Sequence, residues 1–341
     1  MFVNRDVKLK LINHWLVSIY FLLILMIVVG GLTRLTDSGL SITKWELFKG
    51  ILPPLNDNDW ENYFSMYKEI PEFIYLNSNI TLNEFKIIFY WEFFHRLLGR
   101  FIGIFSIIPL LYFFYKFKNS NISLKKYLSI SILVLIQGII GWFMVESGLT
   151  ERVDVSHFRL ATHLFAAFVI LSLVFWFILE LSDTKRFDYK IPSSLIFLLL
   201  FLIFVQIIFG AFLAGLDGGL IYNTWPDMNG FFFPDDISNL DYNFNELLAT
   251  PSVVQFIHRI LAYLLTIVII YFNYIYIKKK LPLVPLIIFN ISILIQVFLG
   301  VVTLLSGAKI FYASLHQIGS IFVVSSFLYI AYKNTKLTYS F

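Results

Sequence analysis

The 341-residue chain contains no cysteine and few charged residues, and each scarcity excludes a class of protein. Without cysteine it can form no disulfide, no thiolate metal site and no redox-active dithiol, so any redox chemistry requires a bound cofactor. Charged residues make up only 14% of the chain, whereas 58% of it is hydrophobic and 19% aromatic. A single soluble core cannot bury that much apolar surface. The composition therefore predicts an integral membrane protein.

Eight apolar runs are long enough to cross a hydrocarbon core of about 30 Å. The first run lacks a small-residue cleavage site and is long enough to span, so we expect it to stay as a helix. The sequence predicts an all-α integral membrane protein with eight transmembrane helices. The predicted spans are about 12–31, 92–114, 127–147, 158–180, 193–215, 253–276, 283–305 and 311–332.

Lysine and arginine are concentrated in alternate loops, which is typical of segments retained on the inner side of a membrane. The segment 216–252, in contrast, has no Lys or Arg and contains six acidic residues. We therefore expect both termini to be cytoplasmic. The inner loops account for the net charge of +4, which predicts contact with anionic membrane lipid and no nucleic-acid binding. The basic segments are Arg5 to Lys10, Lys116 to Lys126, Lys185 to Lys190, Lys278 to Lys280, and Lys333 with Lys336.

Several short motifs occur twice in the same order, which predicts an internal duplication. Because four spans are an even number, both halves enter the membrane from the same side as a parallel repeat. We predict two tandem four-helix bundles, 1–185 and 186–341. The Gln-x-x-x-Gly pairs suit close helix contact or interhelical hydrogen bonding, and we favour packing. The repeated pairs are Asp37 to Trp45 with Asp217 to Trp225, His95-Arg96 with His258-Arg259, Gln137 and Gly141 with Gln296 and Gly300, and His163 with His316.

Four histidines lie at repeat-equivalent positions in the first turns of the even-numbered spans, toward the outer leaflet. Ionisable groups inside spans cost about 2.5 to 3.5 kcal/mol on insertion scales, so they usually face a site. Two neutral imidazoles on facing helices can hold one haem, and we predict one such pair in each half. Zinc is a weaker alternative, because each half lacks the further ligands of a tetrahedral site. The pairs are His95 with His163 and His258 with His316.

Charged residues beside these histidines differ between the halves. Arg96, Arg159 and Arg259 could bind haem propionates, or could snorkel to the interface. Glu92 lies three residues before His95 and so on the same helical face. It could pass protons beside a haem pocket, or it could be a solvated acid at a helix start.

The position equivalent to Glu92 in the second half is Gln255. Only the first half therefore has this acid. The difference suggests that one haem serves electron transfer and the other is turned over as substrate.

These residues resemble the haem A synthases of the Cox15/CtaA type, and the resemblance covers nearly the whole chain. The matching motifs follow one another in the family's order. They are Gly30 to Arg34, Asp37 to Ser41, Glu92-x-x-His95-Arg96, Phe158 to His163, Trp225-Pro226 and His258-Arg259.

The resemblance implies oxidation of the C8 methyl group of haem O to a formyl group, by successive hydroxylations and loss of water. The product would be haem A for cytochrome oxidase, and electrons would leave through a bound haem b. By the same resemblance, His258 and His316 ligate the haem b cofactor and His95 and His163 bracket the substrate haem. Glu92 would assist proton removal.

The lack of a cysteine pair in the first outer loop resembles the second branch of that family, found in alphaproteobacteria and mitochondria. The resemblance further implies the bacterial inner membrane and a haem O synthase as partner. The sequence decides neither the electron acceptor nor the oligomeric state, and a homo-oligomer is compatible with it. Two alternatives remain open: a two-haem, cytochrome b-like quinol or electron-transfer protein, and a cofactor-free transporter or assembly protein.

Overall fold

The computed structural model describes residues 5–46, 49–118, 122–150, 152–182, 184–236 and 243–335, with Lys49 described by its backbone alone. These ranges contain eight helices that are long and apolar enough to cross a membrane. Apart from an isolated bridge between Met228 and Phe231, the described residues form helices and loops. The predicted all-α class with eight spans is therefore confirmed, and the chain is an integral membrane protein.

The helices are numbered in chain order, and three short ones lie in the two long loops of the described chain. The short helices are α2 (Asp57–Tyr67), α3 (Pro71–Tyr75) and α8 (Phe244–Ala249). The membrane-length helices are α1 (Arg5–Leu35), α4 (Leu82–Lys116), α5 (Leu128–Thr150), α6 (His157–Leu181), α7 (Ser193–Gly215), α9 (Pro251–Lys278), α10 (Leu283–Leu305) and α11 (Ile310–Lys333).

The chain forms two compact units that divide between Val174 and Phe175, within α6. The sequence analysis places the division slightly later, between residues 185 and 186. In the first unit α4 packs against both α1 and α5. In the second unit α7 packs against α9, and α10 packs against α11. The tandem repeat and the assignment of one haem site to each half stay predictions.

Helix α4 begins ten residues before the predicted span because a capping box starts it at Leu82. The backbone N–H of Thr81 donates to the Glu84 carboxylate at 2.8 Å, and the Thr81 hydroxyl accepts from the Glu84 N–H. This reciprocal arrangement satisfies two donors of the first turn. His95 consequently stands 13 residues after Leu82 and not in the first turns of its helix, so that expectation was wrong for His95.

The early part of α4 carries an aromatic core that covers one end of the first unit. Trp60 and Phe64 of α2 pack there with Phe85 of α4. Glu72 is also buried at this place, where its carboxyl accepts from the Tyr67 hydroxyl at 2.8 Å. Burial raises the pKa of Glu72 to about 8. The described part of the loop 36–81 is thus a folded cover with its own core.

The loop after α7 is built differently from the loop after α1, although both begin with an aspartate in the left-handed region. Asp37 has a φ of 48° and Asp217 a φ of 51°, a conformation that aspartate tolerates better than most residues. Phe231, Phe232 and Phe233 of the later loop are largely exposed. The Trp225–Pro226 peptide bond is cis. Of the six acids in 216–252, Asp241 lies outside the described residues, as does the basic Lys336.

Candidate functional site

The four histidines singled out by the sequence lie in two pairs, one in each unit. In the first unit His95 of α4 and His163 of α6 are close enough to interact electrostatically. The same holds for His258 of α9 and His316 of α11 in the second unit. The structure thus brings together the residues that the sequence pairs.

Each imidazole packs against a glycine of a neighbouring helix. A side chain at any of these glycines would collide with the ring or press on it, because a Cβ built there lies very near the imidazole Cε1. Close approach therefore depends on the missing side chain. The contacts, with the distance from that Cβ to Cε1, are Gly30 with His95 (2.8 Å), Gly141 with His163 (2.9 Å), Gly210 with His258 (3.3 Å) and Gly300 with His316 (2.9 Å).

In two of the four contacts, a glutamine one helical turn before the glycine reaches the histidine. The Gln137 side-chain amide donates to the backbone carbonyl of His163 at 2.9 Å and lies 3.1 Å from the ring Nδ1. The Gln206 amide donates to the carbonyl of His258 at 3.0 Å and lies 3.3 Å from Nδ1. The alternative considered for the Gln-x-x-x-Gly pairs, interhelical hydrogen bonding, is therefore confirmed for Gln137 and Gln206.

His316 has a different acceptor, which fixes the state of its ring. Its Nδ1 lies 3.1 Å from the backbone carbonyl of Gln296, and the Gln296 side chain turns toward Gly319. A carbonyl oxygen only accepts, so Nδ1 carries the proton and donates it. The lone pair of Nε2 is then available to a metal, which is the usual arrangement of a ligating histidine.

His95 differs from the other three histidines. Within the described part of the chain, its buried Nδ1 has no hydrogen-bond partner. The residue one turn before Gly30 is Met26, which carries no amide. His95 therefore packs against Gly30 with no glutamine amide one turn before the glycine.

Glu92 joins α4 to the segment that follows α1, and it is almost fully buried. Its Oε2 accepts from the Ser41 hydroxyl and the Ile42 backbone N–H, both at 2.7 Å. Its Oε1 accepts from Nε and Nη2 of Arg96 at 3.0 and 2.5 Å. Arg96 also donates to the carbonyl of Ile42 at 2.8 Å. Four donors thus fix the carboxylate in place, and its role in proton removal stays a prediction.

Gln255 and Arg259 make the corresponding contacts in the second unit with a neutral amide. The Gln255 amide donates to the carbonyls of Gly218 and Ile221 at 2.9 and 2.7 Å. Arg259 donates to the Gln255 side-chain oxygen at 3.0 Å and to the Tyr222 carbonyl at 2.8 Å. Its Nη atoms therefore hold the loop, and the propionate contact expected of Arg259 stays a prediction.

Arg159, the remaining arginine considered for propionate binding, lies against α5. Its Nη1 donates to the Phe143 carbonyl at 2.6 Å, and its guanidinium lies 3.6 Å from the centre of the Phe143 ring. This contact fixes the guanidinium beside an aromatic face.

The donor set of each unit fits a haem held by two imidazoles. Such a haem needs two neutral histidines on neighbouring helices. A ligating histidine usually also donates its second ring N–H to an acceptor, and His316 has one in the Gln296 carbonyl. Beside the rings of His163 and His258 the structure places the amide nitrogens of Gln137 and Gln206, which donate. In the same part of the chain, no three His, Cys, Asp or Glu residues group as a metal site would require. The tetrahedral zinc alternative therefore lacks its ligands there.

Comparison with known proteins agrees with this geometry. The family model for the COX15-CtaA cytochrome oxidase assembly protein matches residues 13–328. The chain belongs to this family. It is 55% identical over 335 residues to the haem A synthase of Pelagibacter ubique, covering 98% of this chain and all of that protein.

More distant members of the family match at similar length. The haem A synthase of Rickettsia bellii is 42% identical over 323 residues, covering 93% of this chain and 96% of its own. That of Maricaulis maris is 40% identical over 321 residues, covering 93% and 94%. The resemblance seen in the sequence motifs is thus confirmed over the whole length.

Sequence reasoning left interhelical hydrogen bonding by the Gln-x-x-x-Gly pairs as an alternative, but it did not predict that Gln137 and Gln206 contact the histidines. It also missed the hydrogen bond from Ser41 to Glu92. A signal for the glutamines was present, because the Gln-x-x-x-Gly spacing occurs in three of the four odd-numbered spans. No comparable signal identifies Ser41, whose contact joins residues 51 positions apart.

Proposed function

We propose that this chain is a haem A synthase, an oxidoreductase that converts the C8 methyl group of haem O to a formyl group. The proposal is carried by its full-length identity to haem A synthases together with a histidine pair in each unit. The oxidation of a methyl group to a formyl group removes four electrons together with protons. The reaction therefore needs groups that take up both.

His258 and His316 are the residues that would hold the resident cofactor, haem b. Their support is the His316 ring, whose Nδ1 donates to a carbonyl, and the Gln206 amide that holds His258. When bound, haem b supplies a one-electron acceptor. The chain's own contribution is to fix both imidazoles and to keep this part of the second unit apolar.

His95 and His163 would bracket the substrate haem in the first unit. Glu92 lies on the face of α4 that carries His95, three residues away, where a carboxylate can take up protons released from the methyl group. The clamp from Ser41, Ile42 and Arg96 holds this carboxylate at one position. The folded cover around α2 would exclude water from that end of the site.

The partner and the membrane location are proposed from the apolar chemistry of the substrate and from the charge of the loops. Haem O is an apolar porphyrin with a farnesyl tail, so we propose direct delivery by a haem O synthase and not diffusion through water. We propose the bacterial inner membrane with both termini cytoplasmic, supported by the alternating Lys and Arg loops. The absence of cysteine supports the branch of the family without the loop cysteine pair.

The test is conversion of haem O to haem A in membranes that lack any other haem A synthase. Pigments are extracted and separated by chromatography after the chain is expressed together with a haem O synthase. Haem A is expected with the parent chain and absent with the His95→Ala variant. The proposal is contradicted if haem O accumulates without haem A in membranes where the chain is present and carries haem b.

A second candidate is a two-haem electron carrier, favoured by the matching histidine pairs in the two units. In that protein both haems are permanent and neither is haem O or haem A. Pigment extraction from the purified protein separates the two candidates, because a carrier purified from these membranes contains haem b alone.

A further inference from the structure

His316 differs from the other three histidines in the residue that follows it by about one helical turn. That residue is Gly319 of α11, whereas the same position after the other histidines holds Leu98, Ala166 and Leu261. A Cβ at Gly319 would collide with the side-chain oxygen of Gln296. This oxygen is buried and has no hydrogen-bond partner among the described residues. The Gln296 side chain therefore fits here only because Gly319 has no side chain.

The first unit shows where a glutamine lies when this glycine is replaced. The corresponding residues are Gln137, His163 and Ala166, so a methyl group stands where α11 has a glycine. The Gln137 amide nitrogen lies 3.1 Å from Nδ1 of His163 and donates to the backbone carbonyl of the same residue at 2.9 Å. The amide of the glutamine opposite His258, where Leu261 takes the position, makes the same contact. With a side chain at this position, the glutamine thus places a donor beside the ring.

The glutamine that turns toward Gly319 leaves the His316 ring to the backbone. Nδ1 of His316 lies 3.1 Å from the Gln296 carbonyl and donates to it, so the lone pair of Nε2 is available to iron. A donor amide beside Nδ1 would instead favour a proton on Nε2, which must move before the ring can bind a metal. The position of the Gln296 side chain therefore sets the state of the imidazole.

We propose that Gly319 is a positioning residue: it gives the Gln296 side chain room, so that His316 donates to the Gln296 carbonyl and is ready to bind iron through Nε2. The inference rests on the proposed function, in which His316 ligates the resident haem b. Loss of the hydrogen-bond partner of a metal ligand typically costs 10- to 100-fold in affinity. Gly319 thereby helps to keep this haem in place.

The test measures ferric hemin affinity and midpoint potential at the second site of the purified full-length protein loaded with hemin. The signal lost in the His258→Ala variant is assigned to that site. Gly319→Ala should weaken ferric hemin binding there about 10- to 100-fold, because its methyl group turns the Gln296 amide onto the ring. An imidazole with an acceptor stabilises ferric over ferrous haem, so the potential should rise. Each tenfold loss of ferric relative to ferrous affinity raises it by about 59 mV.

A second substitution separates positioning from packing. Gln296→Ala removes the colliding side chain but keeps the backbone carbonyl that accepts from His316. The double variant Gly319→Ala with Gln296→Ala should therefore regain the hemin affinity and the potential of the parent, which a general packing defect would not. Gly103→Ala is the matched control, because its added Cβ meets nothing within 4 Å. It should bind hemin as the parent does.

The proposal is overturned if Gly319→Ala keeps the parent affinity and potential, or if its defect persists in the double variant. Ala166→Gly gives an independent measurement should Gly319→Ala not fold. It gives Gln137 the same room and should strengthen hemin binding at the first site, and an unchanged affinity there also overturns the proposal. Because hemin affinity and potential are measured without turnover, loss of haem A formation alone would refute the synthase and not this inference.

Discussion

Each unit holds its long loop through a pair of residues four positions apart, but the two pairs differ in charge. In the first unit Glu92 and Arg96 bind the segment after α1 as an ion pair, whereas in the second Gln255 and Arg259 bind the segment after α7 through a neutral amide. The hydrogen bonds also run in opposite directions. Glu92 accepts from its loop, and the Gln255 amide donates to its loop. Each loop is therefore matched to its own partner.

The two loops also differ in how far their aromatic residues are buried. The first forms a cover with a buried aromatic core around Trp60, and the second exposes Phe231 to Phe233. A loop held by a buried acid over an aromatic core, and a loop held by a neutral amide with exposed phenylalanines, suit different tasks. Chemistry on a substrate needs exclusion of water and a proton acceptor, whereas electron transfer through a fixed cofactor needs neither.

The largest expected effect comes from exchanging the two partners. Glu92→Gln replaces an acceptor of four hydrogen bonds with an amide that cannot accept all four and removes the charge that pairs with Arg96. Breaking a buried ion pair from one side costs about 3 to 5 kcal/mol. We expect the amide of Ile42 to lose protection in hydrogen exchange, and haem A formation to slow while the second-site haem stays bound.

The reverse change, Gln255→Glu, sets a carboxylate against the carbonyls of Gly218 and Ile221. It should release the second loop in the same exchange experiment. Glu92→Gln with an unchanged Ile42 amide would show that the acid does not hold its loop. An unchanged yield of haem A would remove Glu92 from the reaction.

A smaller effect is expected at the glycine contacts, for which α5 provides an internal control. Gly141→Ala pushes a Cβ to 2.9 Å from the ring of His163, while Gly138→Ala meets nothing within 4 Å. Overpacking of this kind costs about 1 to 3 kcal/mol. Gly141→Ala should therefore weaken hemin binding at the first site, measured by titration.

Gly138→Ala should leave that binding intact and stabilise the helix by up to about 1 kcal/mol, because alanine is the better helix former. Equal hemin affinity in the two variants would mean that the ring of His163 does not depend on the space beside Gly141.

A pH-dependent effect is expected in the cover of the first unit. Burial raises the pKa of Glu72 from 4.5 to about 8, so the folded chain keeps a proton that the unfolded chain loses. This stabilisation is complete below about pH 4.5 and is lost as the pH rises to about 8, with a slope of at most about 1.4 kcal/mol per pH unit. Glu72→Gln should remove that slope from thermal unfolding curves recorded between pH 5 and 9.

Glu69→Gln is the matched control, because Glu69 is exposed. It should keep the parent pH profile. A parent profile in Glu72→Gln as well would mean that Glu72 is ionised in the folded cover.

The spans, the family and the pairing of histidines could be predicted from the sequence because each depends on a local pattern or a repeated motif. The eight apolar runs are continuous, and His95-Arg96 and His258-Arg259 stand in equivalent contexts. The early start of α4 was missed, because its polar first turns lie outside the apolar run and depend on the Thr81 cap.

The clamp on Glu92 was also beyond sequence reasoning. Ser41 and Glu92 meet through tertiary packing between the end of α1 and the face of α4, which no periodicity records. The direction of Arg96 and Arg259 toward loop carbonyls depends on loop conformations in the same way.

The central claim is that one histidine pair holds a resident haem and the other a substrate haem. It is tested most directly by the pigments of purified parent, His258→Ala and His95→Ala proteins, produced with a haem O synthase. The parent should contain haem b together with haem O or haem A; His258→Ala should lose haem b, and His95→Ala should lose the other pigments and keep haem b. Haem b as the sole pigment of the parent, reduced equally by either substitution, would contradict the claim.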